Sequence, residues 1–228
     1  MMYDNETFIQ SAAGGGATTL DLSDSYTVAG TTGMAGASMS LGASSTIALA
    51  AGVHGNWDSG MDGYALLKAL PDVPTQGQTL RVVMTCSGAT GDPGYSAASI
   101  SIMLTTGTTP QSTQGYFASG MNRHSDGSTN EVVTPDRLGD TFAGTVNLSG
   151  AMTAIAEFPW GASNPLSCNT TSFGASGGEV YVANKSGNAG TWSGPCLGIC
   201  MQNKNNGTGG GATEVVWSDV VITYEILG

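Results

Sequence analysis

Two histidines, 17 Asp and Glu residues, four cysteines and four tryptophans are the side chains of this chain with chemistry to offer. Glycoside hydrolysis needs two carboxylates, about 5–5.5 Å apart for retention and farther apart for inversion. Asp219 and Glu225 share one face of the apolar–polar alternation near the C-terminus. They stand six residues apart, roughly 20 Å on a regular strand. Glu157 and Glu179 each sit alone in their segments. A Ser-His-Asp arrangement has only His54 and His124 to draw on, and no serine beside either lies in Gly-x-Ser-x-Gly. His124, in Arg-His-Ser-Asp-Gly, reads as a solvated turn residue, and His54 as part of a loop. No catalytic residue is assigned, and the chain is read as a non-enzyme.

Sugar binding asks for something different: an aromatic ring face for the C–H side of the sugar, with Asn or Asp for its hydroxyls. The candidates are Trp57 with Asn56 and Asp58, Trp160 in Phe-Pro-Trp-Gly, and Trp192 in Gly-Thr-Trp-Ser-Gly. Against this stands the habit of Trp and Tyr to fill cores and interfaces. Asp58-Ser-Gly-Met-Asp62 could offer oxygens to Ca²⁺, but it lacks the ligand density of an EF-hand loop. No metal ligand and no cofactor is assigned.

The cysteines are Cys86, Cys168, Cys196 and Cys200. Cys196 and Cys200 lie in an alternating run, so a regular strand would set them roughly 13 Å apart. A disulfide needs Cα atoms within about 7 Å. Nor does their spacing suit a zinc site. They read as buried thiols.

The elements that must position these groups are strands. Glu214–Gly228 places Val216, Val220, Ile222, Tyr224 and Ile226 in one row and Asp219, Thr223 and Glu225 in the other, a period of two. This reading puts Trp217 opposite Val216 and Val220, exposed or against a second layer. Thr79–Ser87, with Leu80, Val82, Met84 and Cys86 inward, predicts a strand. Ala98–Thr105, with Ile100, Ile102 and Leu104 inward, is read as its hairpin partner across Gly91-Asp-Pro-Gly. Gln114–Met121 and Asn130–Val133 predict a hairpin turning near Asp126-Gly127. Met152–Phe158, Glu179–Ala183, Cys196–Gln202, Ser45–Ala51, Tyr64–Leu70 and a short segment near Thr18–Leu22 complete ten to twelve strands. No helix is expected.

With 35 glycines, 10% charged and 40% hydrophobic residues, the chain suits many short strands joined by many turns. Its formal net charge is −11. The few Lys and Arg are scattered, which argues against nucleic acid, whose phosphates need clustered cations, and against an anionic membrane. No run approaches the roughly 18 apolar residues of a membrane span. The acidic start lacks an apolar signal region, so synthesis in a host cytoplasm is expected.

Three stretches carry a family resemblance. They are Gly55-Asn-Trp-Asp-Ser-Gly with Tyr64-Ala-Leu-Leu-Lys-Ala-Leu-Pro leading into Gln78-Thr-Leu-Arg-Val-Val-Met-Thr; Ser99-Ile-Ser-Ile-Met-Leu; and Leu197-Gly-Ile-Cys-Met-Gln-Asn followed by Val215-Val-Trp-Ser-Asp-Val-Val-Ile-Thr-Tyr. In order and pattern the chain resembles the concanavalin A-like (lectin/laminin-G-like) jelly-roll superfamily. That resemblance implies an all-β, two-sheet antiparallel jelly-roll sandwich. Residues 1–45, loose and rich in glycine and small residues, would form an extended N-terminal arm, and residues 46–228 the sandwich. The superfamily holds lectins, glycan-cleaving enzymes and adhesive or structural modules. Its glycosidases carry Glu-x-Asp-x-x-Glu on one strand, a run missing here.

The composition is also similar to that of tailed-phage virion proteins: low charge, much Gly, Ser, Thr and Ala, and no export signal. This implies a structural virion protein (capsid decoration, head fibre or tail component) with itself and a neighbouring virion protein as partners, a trimer being plausible. The other reading is a glycan-binding adhesin facing a host-surface glycan, with a glycan-cleaving enzyme as a remote third.

Overall fold

The computed structural model describes residues 16–23, 25–29, 37–40, 45–50, 64–91, 97–107, 115–124, 130–133, 136–137, 145–148, 151–174, 181–186, 192, 194–203 and 213–228. Among them every regular element is a strand.

A six-stranded sheet runs in the order β1 (Thr18–Thr19), β18 (Val221–Leu227), β6 (Thr79–Cys86), β13 (Met152–Pro159), β14 (Ser167–Gly174), β15 (Tyr181–Ser186). An eight-stranded sheet has β12 (Thr145–Leu148), β10 (Asn130–Val133), β9 (Gly115–His124), β8 (Ala97–Thr105), β16 (Cys196–Asn203), β5 (Tyr64–Ala69) and β2 (Tyr26–Ala29), with β11 (Asp136–Arg137) on β9. A four-stranded sheet orders β3 (Ala37–Ser40), β4 (Thr46–Leu49), β17 (Val215–Ser218) and β7 (Gly88–Thr90). All pairings are antiparallel. The all-β antiparallel sandwich expected from the sequence is therefore present, with the four-stranded sheet added.

Alternation places the core. In β6 each of Leu80, Val82, Met84 and Cys86 is buried while Thr79, Arg81, Val83 and Thr85 are half-buried. Met152, Ala154, Ala156 and Phe158 of β13 do the same. They meet Ile100, Ile102 and Leu104 of β8 and Leu197, Ile199 and Met201 of β16 in one core, which also takes in Ile47, Leu49, Val215 and Trp217 of the small sheet. Each buried Leu, Ile, Val, Met or Phe among them contributes about 1.5–3 kcal/mol. A second cluster (Ala65, Leu67, Met103, Cys196, Cys200) lies on the other face of the eight-stranded sheet, since it takes the alternate positions of β5, β8 and β16. The centre of that sheet is buried on both sides.

Gly198 is what lets β16 lie so close to β5. A Cβ there would overlap the carbonyl oxygen of Leu66. A glycine inside a strand commonly marks such close backbone approach.

Two sequence expectations are corrected. First, β6 and β8 are not hairpin partners. β6 pairs with β18 and β13, and β8 with β9 and β16, in different sheets. After β6 the chain does not turn back; it runs on through Ser87 into β7 of the small sheet.

Second, Glu214–Gly228 is two strands. Asp219 takes a φ of 52° and breaks the period between them. Val215 and Trp217 point inward before it, Val220 and Ile222 after it. Trp217 is thus fully buried, not on an exposed face.

Within the segment read as an arm with a first strand, the described residues include the short strand expected near Thr18–Leu22. β1, β2 and β3 join three different sheets, and Leu20 and Leu22 enter the core. The β9–β10 pairing follows the expected hairpin, with Asn130 opposite Arg123; its Asp126-Gly127 turn lies outside the described residues.

Candidate functional site

The outward face of the six-stranded sheet holds the best-defined polar arrangement among the described residues. Register brings Glu225 of β18, Arg81 of β6 and Glu157 of β13 into one row across three adjacent strands. Arg81 Nη1 donates to Glu225 Oε1 at 2.9 Å. Its Nε stands 3.6 Å from Glu157 Oε1, an ion pair without a hydrogen bond. The three side chains are 34%, 22% and 44% exposed in the order Arg81, Glu225, Glu157, so the pairs are partly screened by solvent. Asn169 and Asn184 continue the row in register across β14 and β15.

Around this row the face is uncharged on its three central strands. Thr79, Val83 and Thr85 come from β6, Thr153, Ile155 and Pro159 from β13, and Val221, Thr223 and Leu227 from β18. All are half-buried except Val221, which is 43% exposed. One Arg against two Glu gives the face a net charge of −1, in a chain of net charge −11.

As a catalytic pair the two glutamates are poorly placed. They sit two strands apart, roughly 9.6 Å, and Arg81 fills the space between them. A retaining pair would need about 5–5.5 Å, and an inverting pair about 6.5–9.5 Å with a water between the carboxyls, in the space that Arg81 occupies. The described thiols fare no better as nucleophiles. All four cysteines are buried and none forms a disulfide. Burial pushes the thiols of Cys86, Cys196 and Cys200 up, Cys200 farthest. A thiol so placed holds its proton, whereas nucleophilic attack needs the thiolate. Among the described residues no three His, Cys, Asp or Glu side chains converge on a metal-sized site.

The expected sugar platforms divide. Asn56, Trp57 and Asp58 lie outside the described residues, as do Asp62, His54 and Glu179. Trp160 and Trp192 are corrected to core residues, 3% and 5% exposed. Their rings pack edge to face with centroids 6.2 Å apart. The backbone fixes both: Trp160 N–H donates to the Gln78 carbonyl, Gly77 N–H to the Trp160 carbonyl, and Trp192 N–H to the Ser163 carbonyl. A ring held this way stabilises the end of the sandwich and offers no open face.

Arg81 is the residue that sequence reading missed. Its only signal is a cation on the polar side of an alternating strand. The importance of that position depends on which strands flank β6, and local periodicity does not carry that.

No family model and no curated protein matches the chain. Solved structures do. Arcelin-5, a lectin-like defense protein from Phaseolus vulgaris, is 7% identical, with 90% of this chain and 95% of that chain covered and a TM-score of 0.51. Lectin II from Ulex europaeus is 10% identical, covering 95% and 100%, with a TM-score of 0.49. An engineered GH43 glycoside hydrolase is 7% identical, with a TM-score of 0.47; the match covers 85% of this chain but only 36% of that enzyme. At such identities the likeness is one of fold.

Proposed function

We propose that this chain, a concanavalin A-like jelly roll, works by surface contact and without catalysis, as a structural virion protein of a tailed phage. The observation that carries the reading is the Glu225–Arg81–Glu157 row on an otherwise uncharged sheet face. An alternating row of this kind is self-complementary. A second copy shifted by one strand sets Arg81 of each opposite Glu225 of the other, as a two-fold contact requires. Elsewhere two copies of a net −11 chain repel. With that shift four strands overlap, β1, β18, β6 and β13, roughly 400 Å² of face, about half the ~800 Å² per partner of a standard interface and in the range of a weak contact. Half-buried Thr, Val and Ile lose little further side-chain freedom on contact.

A two-fold contact builds pairs or multiples of pairs, in place of the trimer suggested by the sequence. The charge and composition set out above support a particle protein that also contacts a neighbouring virion protein. Light scattering on the purified chain tests the self-association, and labelling of particles in micrographs tests the location.

A glycan-binding adhesin is the second reading. The lectin-like fold of its structural neighbour and the Asn56-Trp57-Asp58 run favour it. Trp160 and Trp192 no longer contribute to it. Loss of glycan-array binding by Trp57→Ala at unchanged melting temperature would support it, and flat arrays for the intact protein would end it.

A further inference from the structure

We draw no further inference here: the strongest candidate, the shallow notch of about 180 Å³ at the open edge of β18 lined by Gly16, Thr18, Asp72, Tyr224, Glu225 and Ile226, joins two carboxylates to a strand edge, and nothing in the structure shows what ligand or segment covers it.

Discussion

Ser87 Oγ donates a 2.7 Å hydrogen bond to Asp219 Oδ2, tying together the two points at which paired strands leave the six-stranded sheet for the small one. Ser87 N–H also donates to the Ser218 carbonyl at 3.0 Å. Thr85 pairs with Val221 on one side of the bend and Gly88 with Ser218 on the other. The ribbon β6–β7 with β18–β17 is thus continuous through two sheets. Asp219 bends it by adopting left-handed backbone, which Asp tolerates far better than a β-branched residue does.

From this follows a stability series. Asp219→Asn keeps both the backbone preference and an acceptor, and melts within about 0.5 kcal/mol of the parent. Asp219→Val loses about 2 kcal/mol, because a β-branched residue is strained there. Ser87→Ala loses about 1 kcal/mol. Urea denaturation measures all three. Equal stability of the Asn and Val variants would show that the bend carries no strain.

Gly198→Ala is expected to cost about 3 kcal/mol or to prevent folding, since the new methyl meets a backbone carbonyl that cannot move without breaking the β5–β16 ladder. Gly88→Ala is the control: nothing lies within 4 Å of its Cβ position. It should change stability by under about 1 kcal/mol. Comparable losses in both would contradict the close approach of β5 to β16.

Trp160→Ala and Trp192→Ala test the core assignment. A buried ring of this size costs about 3–5 kcal/mol on truncation. Their thermal melts should drop steeply. Melts unchanged from the parent would return these rings to the surface and reopen their use as sugar platforms.

Alkali should weaken the fold through its thiols. Burial raises the folded-state pKa of Cys86, Cys196 and Cys200 above the ordinary thiol value, which is about 8.5. Below that value both states hold the proton and nothing is lost. Above it the unfolded chain has released a proton that the folded chain still binds, so stability falls as pH rises. Melting temperature measured from pH 7 to pH 10 should decline, and Cys200→Ala should decline less steeply. Parallel slopes would remove Cys200 from the account.

How far the sequence could be read depended on how local the signal was. Leu80, Val82, Met84 and Cys86 were legible as one inward row because two-residue alternation is a property of the strand itself. The same holds for Leu197, Ile199 and Met201. Trp217 was misread because alternation assumes unbroken strand geometry, and one residue with positive φ at Asp219 resets the parity. The pairing of β6 was misread because Gly91-Asp-Pro-Gly signals a turn without saying which strands it joins. The Arg81 row was invisible for the same reason. Its three members lie 76 and 68 residues apart in sequence (157 − 81 and 225 − 157), and register alone brings them together. Trp160 and Trp192 were ambiguous on principle, because aromatic residues beside glycine and proline suit a core corner as well as a binding loop.

The central claim is that the outward face of the six-stranded sheet joins copies of this chain. Light scattering across a range of protein concentrations, on the parent and on Arg81→Glu, tests it most directly. The parent should form pairs or multiples of pairs. The variant, with three carboxylates in its row and Val83 and Ile155 untouched, should be monomeric and still unfold in one cooperative transition. A parent that stays monomeric throughout, or a folded Arg81→Glu that assembles like the parent, would contradict the account.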